Sequence, residues 1–172
     1  MLRTAAADES HFGLLDDIKK WGFDGVELPM FSVEGSPWGA LAKHLDGLGL
    51  GRTVVAVMPE NTSLVADDAA TRKAGVDHLK ASVDACRELG AEAMAGPIYH
   101  PVGALIGRGP TTDEWKRLAE CMREVAEYAA KDGPLLSIEP LNRFETYVLN
   151  AQQDAARVAR DVGLDNVGIL YD

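Results

Sequence analysis

Hydrophobic residues along this chain follow two alternating patterns. Short runs of apolar and β-branched residues, bounded by glycine or proline, predict buried strands at residues 26–30, 52–58, 91–98, 135–139 and 167–171. Between these runs, apolar residues recur at three- and four-residue spacing, as at Val76, Leu79 and Val83, which predicts amphipathic helices. The predicted helices cover approximately residues 10–21, 37–48, 69–89, 112–132 and 150–162.

The strict alternation of helix and strand predicts an α/β fold with a parallel sheet covered by helices. A nucleotide-binding sheet is disfavoured, because the glycine-rich segment 103–109 has neither the GxGxxG spacing nor a GK[ST] end. Acidic residues instead stand at or near the carboxyl ends of predicted strands, at Glu27, Glu139 and Asp172, and His100 follows another strand. This distribution is typical of a (β/α)₈ barrel, in which that face carries the chemistry.

Composition narrows the choice of partners. The 172 residues carry a net charge of −10, which disfavours binding to a phosphate backbone. No apolar run approaches the roughly 18–20 residues that span a bilayer, and no secretion signal is seen, so we expect a cytoplasmic protein without a membrane partner. The two cysteines, Cys86 and Cys121, fall in helical patterns and are expected to be reduced thiols.

Two of the acidic residues are candidate metal ligands. Glu139 and Asp172 each end an apolar strand, where a carboxylate is costly unless it is paired or bound to a metal. The alternatives are a salt bridge between Glu139 and Arg143, and a helix cap or loop position for Asp172. Two carboxylates on strand ends of one parallel sheet would point into one crevice, and such oxygen ligands suit Mg²⁺ or Mn²⁺.

The segment EPLNRFE at residues 139–145 resembles the sugar 3-epimerases of the D-tagatose/D-psicose (allulose) type, within the xylose isomerase-like TIM-barrel superfamily. Further segments fall in the same order and spacing as in that family, which extends the resemblance over nearly the whole chain. These are GFDGVELP (22–29), ADDAATRKAGVDHLK (66–80), ELGA (88–91) and VGILYD (167–172). The GFDGVELP element is common across the superfamily and is therefore the less specific.

The resemblance implies a metal-dependent isomerase acting on a ketose. It implies that Glu139 is both a metal ligand and one of two glutamates that move a proton at carbon 3, and that Asp172 is a second metal ligand. The expected cofactor is a divalent ion, Mn²⁺ first, with Mg²⁺ or Co²⁺ as alternatives. The metal would stabilise the enediolate that forms when the proton leaves.

The resemblance also implies a set of substrate-binding residues. Glu145 matches a residue that contacts the sugar hydroxyls near the reacting carbon. Tyr99 and His100 stand in a loop that lies near the substrate in relatives. Glu27 matches a strand-end acid of the superfamily. Its role there could be either a substrate contact or a structural salt bridge, and the sequence leaves both alternatives.

The chain departs from the family in its number of strands. A complete barrel has eight strands and about 250 residues, whereas the pattern here predicts five, corresponding to barrel strands 2–6, so residues 1–172 are expected to form a partial barrel domain. Three interpretations follow: a piece of a longer epimerase-like barrel, a homo-oligomer in which two copies supply strands to each other, or a non-catalytic sugar-binding or interaction module. Within the enzymes, a hydroxypyruvate isomerase-like or inosose dehydratase-like protein is the alternative, and a nuclease is disfavoured by the charge.

Overall fold

Five parallel strands and five α-helices alternate along the chain in a computed structural model that describes residues 7–171. The predicted ligand Asp172 lies outside the described residues. A short 3₁₀ helix at Glu9–His11 comes before the first α-helix. The α-helices are α1 (Phe12–Lys20), α2 (Trp38–Leu48), α3 (Ala69–Leu89), α4 (Thr112–Ala129) and α5 (Gln152–Val162). The strands are β1 (Gly25–Met30), β2 (Gly51–Ala56), β3 (Ala93–Gly96), β4 (Leu135–Ile138) and β5 (Val167–Ile169).

The strands form one sheet in the order β1-β2-β3-β4-β5, so each βα unit places its strand beside the previous one. Because successive side chains of a strand point to opposite faces, each row of paired residues belongs to one face of the sheet. One face packs against the helices, as shown by the buried row Leu28, Val54, Met94, Leu136 and Val167. The apolar core therefore lies between the sheet and the helices.

The opposite face of the sheet is covered less completely. It carries the row Glu27, Thr53 and, two strands on, Leu135, which is 41% exposed. In the described part of the chain, β1 and β5 form the two edges of the sheet. The structure is thus an open segment of parallel βα units, which confirms the predicted fold class.

The first turns of the helices follow local sequence signals. Asp68 precedes α3, and its carboxylate accepts a hydrogen bond from the Thr71 amide at 2.8 Å. Thr111 precedes α4 and forms a capping box with Glu114, in which each side chain accepts a hydrogen bond from the other residue's amide. These caps fix where the loops at the carboxyl ends of β2 and β3 stop.

One expectation about an individual residue was wrong. Glu27 is the third of six residues in β1 and is exposed, so it does not stand at the end of its strand. The predicted strand, residues 26–30, already had Glu27 near its start, and pairing with β2 adds only Gly25. Trp21 is 65% exposed because it follows the last turn of α1. Trp38 and Trp115 are buried.

In residues 7–171, no helix combines the length and the apolarity that crossing a membrane requires. Cys86 is buried in α3, and Cys121 is partly buried in α4; both are free thiols. Burial raises the pKa of Cys86 to about 12, so its thiol stays protonated and behaves as a small apolar side chain.

Candidate active site

Glu139 is the first residue beyond β4, at the carboxyl edge of the sheet. Its amide donates a hydrogen bond to the carbonyl of Gly96, the last residue of β3, at 3.0 Å. The neighbouring strand end therefore fixes the backbone of Glu139. Its side chain is half-buried, so the carboxylate combines a partly desolvated position with access from the carboxyl edge. This is the placement that the sequence predicted for it.

Gly96 allows this close approach of β3 to its neighbours. Its φ of +129° lies in the region that side chains disfavour, and a Cβ atom there would overlap the carbonyl oxygen of Ala56 in β2. Only glycine therefore fits where three strand ends converge beside Glu139.

The loop after β4 is closed by side-chain amides. Asn150 donates from Nδ2 to the carbonyls of Leu141 and Thr146, at 2.9 Å each. Asn142 accepts from the Phe144 amide at 2.9 Å through Oδ1 and donates through Nδ2 to the carboxylate of Glu145. The Glu145 amide in turn donates to the Asn142 carbonyl at 3.0 Å. Glu145 is thus held at both its backbone and its side chain.

Tyr99 is fully buried directly below this loop. Its hydroxyl lies near the Leu141 backbone and the Thr146 side chain, yet within the described residues it makes no hydrogen bond of normal geometry. Burial raises the pKa of Tyr99 above its usual range, and the negative charge of Glu139 raises it further. Tyr99 and Glu139 are therefore electrostatic neighbours, and Tyr99 remains a neutral phenol.

His100 is 8% exposed, and both of its ring nitrogens have partners. Nε2 lies 2.9 Å from the carbonyl oxygen of Ala104, which only accepts, so Nε2 carries the proton. Nδ1 then accepts from the hydroxyl of Ser63, 2.9 Å away. Burial lowers the pKa of His100, which favours this neutral form.

A buried acid lies beside His100. The ring of Tyr147 meets the His100 ring edge to face, with centroids 5.0 Å apart, and its hydroxyl donates to Glu114 at 3.0 Å. Arg108 binds both oxygens of that carboxylate, at 2.7 and 3.0 Å. The paired charge of Arg108 lowers the pKa of Glu114 to about 2. Sequence reasoning did not select Glu114 or Ser63, although the capping-box spacing of Thr111 and Glu114 was visible.

The structure brings four of the predicted site residues to the carboxyl end of the sheet: Glu139, Glu145, Tyr99 and His100. Glu27 is separated from them. It borders a groove near the starts of β1, β2 and β3, together with Asp24 and Glu92. The predicted substrate role of Glu27 thus has no support from its position.

The metal-ligating side chains of the described residues do not by themselves form a metal site. Between residues 7 and 171, no group of three or more histidine, cysteine, aspartate or glutamate side chains is close enough to hold an ion. Glu139 is the described member of the predicted ligand pair. Its carboxylate has the oxygen donors that Mn²⁺ accepts, but one carboxylate does not fill a coordination shell.

Comparison with known proteins identifies the fold family. The profile of the xylose isomerase-like TIM barrel matches residues 15–172, almost the whole chain. The chain belongs to this family. Similar relatives within it are L-ribulose 3-epimerase of Mesorhizobium japonicum, 31% identical over 158 residues, and ketose 3-epimerase of Arthrobacter globiformis, 31% identical over 156 residues. These alignments cover 92% and 88% of this chain, and 53% and 52% of the relatives.

The solved structures agree with the sequence comparison. An L-ribulose 3-epimerase superimposes with a TM-score of 0.85 at 30% identity, covering 95% of this chain and 55% of that protein. A D-psicose 3-epimerase determined in the presence of D-fructose gives a TM-score of 0.80 at 26% identity, covering 92% and 56%. The chain therefore spans about half the length of the curated relatives and solved structures that it matches.

Proposed function

We propose that this chain supports epimerisation of a ketose at carbon 3, with Glu139 as an acid/base that moves the proton. The observation that carries the proposal is the position of Glu139, half-buried at the carboxyl edge of a parallel sheet in a chain of this family. The ketose 3-epimerases among its relatives support the substrate class.

The chemistry requires a base beside the carbon that carries both a hydroxyl and a neighbouring carbonyl. Glu139 takes the proton from carbon 3, and the electron pair of the C–H bond passes into the carbonyl to give an enediolate. A second acid on the opposite face of carbon 3, a role to which none of the described residues is assigned, then delivers a proton to that carbon and inverts the centre. In this proposal Glu145, whose carboxylate is oriented by Asn142, binds sugar hydroxyls near the reacting carbon, while Tyr99 and His100 shape the wall beside it.

We also propose that Glu139 and Asp172 are ligands of a divalent cation, with Mn²⁺ preferred. When bound, such an ion polarises the carbonyl and stabilises negative charge on the substrate oxygens. Hard carboxylate oxygens support this choice of ion. The predicted cytoplasmic location and the predicted partners, a ketose and, in one interpretation, a second copy of the chain, remain predictions from the sequence.

The test is solvent isotope exchange. The chain is incubated with D-tagatose, D-allulose or L-ribulose and Mn²⁺ in D₂O, and NMR follows deuterium entering carbon 3. We expect exchange with the wild-type chain, loss of at least about a hundredfold in Glu139→Gln, and a strong reduction on adding EDTA. Glu127→Gln, an exposed glutamate on α4, is the matched control and should exchange normally. Exchange by Glu139→Gln at the wild-type rate would refute the assigned role.

A further inference from the structure

Glu114 is a buried acid that the proposed proton transfer does not use. It is 6% exposed and accepts four hydrogen bonds, from two Arg108 nitrogens, from the Thr111 amide at 2.7 Å and from the Tyr147 hydroxyl. The first three donors, on Arg108 and Thr111, belong to the loop between β3 and α4. Tyr147 comes from the loop after β4. One carboxylate therefore joins the two loops that carry the candidate site.

The Tyr147 side chain also makes an aromatic contact, in addition to its hydrogen bond to Glu114. Its ring packs edge to face on His100, and Ser63 and Ala104 hold that histidine in place at 2.9 Å each. The phenol is thus fixed by a polar contact at its tip and an aromatic contact along its ring.

Glu145 stands two residues before Tyr147 and is tied to the same neighbouring loop. The amide of Gly103 donates to the Glu145 carbonyl at 2.7 Å. The segment between Glu145 and Tyr147 is consequently attached to the loop after β3 at both ends. A displacement of Tyr147 would move the backbone that carries the Glu145 carboxylate.

The contact between Glu114 and Tyr147 persists over a wide range of pH. Arg108 holds the pKa of Glu114 at about 2, and burial with the bond to Glu114 raises the pKa of Tyr147 to about 12. Between these two pKa values Glu114 stays ionised and Tyr147 stays protonated. A hydrogen bond from a neutral hydroxyl to a charged carboxylate is stronger than one between two neutral groups.

We propose that Glu114 and Tyr147 are positioning residues, which hold the loop of Glu145 in one conformation and so orient its carboxylate for the sugar. The inference rests on the proposed function for the sugar, but the ordering of the loop is a separate property of the protein. Neither residue is assigned to the reacting atoms.

Backbone hydrogen exchange tests the ordering of the loop. Tyr147→Phe keeps the ring and removes the hydroxyl, and we expect the Gly103 amide to exchange about tenfold faster than in the wild-type chain. Tyr128→Phe is the matched control, because the Tyr128 hydroxyl also donates to a carboxylate, that of Asp84, on the helical surface. It should leave Gly103 unchanged. Unaltered exchange at Gly103 in Tyr147→Phe overturns the proposal, whatever the sugar measurements show.

Sugar binding tests the orientation of Glu145. Calorimetry with D-allulose and Mn²⁺ compares wild type, Tyr147→Phe, Glu145→Gln and the double variant. We expect Tyr147→Phe to weaken binding about tenfold in the wild-type background and less than about twofold in the Glu145→Gln background. Equal losses in both backgrounds would mean that Tyr147 acts only through general stability and would overturn the proposal, as would wild-type affinity in Tyr147→Phe.

The two readouts separate this inference from the proposed function. If the wild-type chain binds none of the ketoses while Gly103 responds to Tyr147→Phe, the proposed function fails and the ordering role stands. Glu114→Gln is a second variant. The glutamine amide oxygen can still accept a hydrogen bond from the Tyr147 hydroxyl, but the negative charge that pairs with Arg108 is lost. It should also raise Gly103 exchange above the wild-type rate, and an unchanged rate would contradict the positioning role of Glu114.

Discussion

Buried polar side chains at the carboxyl end of the sheet differ in how completely they are satisfied. Glu114 accepts four hydrogen bonds, two of them from the bidentate Arg108, whereas the Tyr99 hydroxyl makes no hydrogen bond of normal geometry within residues 7–171. A buried hydroxyl whose hydrogen bonds are poorly formed costs free energy. A buried carboxylate as well paired as Glu114 instead stabilises the fold.

The stabilisation by Glu114 should depend on pH in one direction. Its pKa falls from the ordinary 4.5 to about 2, so folding favours the ionised form. The contribution is complete above about pH 4.5 and is lost as the pH falls through 2. At about 1.4 kcal/mol for each pKa unit, the upper limit is about 3 kcal/mol. We expect urea denaturation to show wild type more stable than Glu114→Gln at pH 7, with this gap closing between pH 5 and 2.

The control for this prediction is Glu127→Gln, a substitution on the exposed side of the same helix. Its stability relative to wild type should change little over the same pH range. A constant gap between wild type and Glu114→Gln from pH 7 to pH 2 would contradict the lowered pKa.

At the scale of the elements, strands β3 and β4 determine the position of Glu139. The short paired segment of β3 ends at Gly96, whose carbonyl receives the amide of Glu139 at 3.0 Å. The apolar pattern predicted both strands, but it placed the end of β3 at residue 98. Pairing ends earlier because Ile98 turns back to donate its own amide to Gly96 at 2.9 Å. The loop that carries Tyr99 and His100 begins at this turn.

Replacing Gly96 should therefore disrupt the sheet. In Gly96→Ala the added methyl meets the Ala56 carbonyl, and the φ of +129° is unfavourable for alanine, so we expect a loss of about 3 kcal/mol or more in unfolding free energy. Gly107→Ala is the control, with φ of +74° but open space around its Cβ, and should lose only about 1 kcal/mol. Thermal and urea unfolding measure both. Equal losses would show that backbone conformation alone, without the contact to β2, accounts for the effect.

Considered as a whole molecule, the described chain is an open parallel sheet with one face covered by helices. Parallel sheets are usually covered on both faces, because βα crossovers and barrel closure bury them. Here Leu135 is 41% exposed on the face opposite the helices, and Ile169 is 38% exposed on β5, an edge strand. Such apolar exposure favours contact with other protein surfaces.

The 172-residue chain should therefore bind the dye ANS and associate with increasing concentration. Leu135→Ser should reduce both effects, because it removes apolar surface from the open face. Leu105→Ser is the control, since Leu105 is 49% exposed but lies in the loop after β3. Fluorescence and analytical ultracentrifugation report the two properties. A dye signal that falls only in Leu105→Ser would place the apolar surface at the loop instead of the sheet.

The sequence by itself determined the order of elements, the parallel sheet and the strand-end position of Glu139, because periodicity and glycine or proline boundaries are local properties. It assigned Glu27 to the carboxyl end of its strand, whereas the structure places this residue third of the six in β1. Only the tertiary structure joined Ser63, His100, Tyr147 and Glu114, which come from three separate loops and the first turn of α4. Contacts between distant segments leave no periodic signal, so the network around Glu145 emerged only when the loops were placed together.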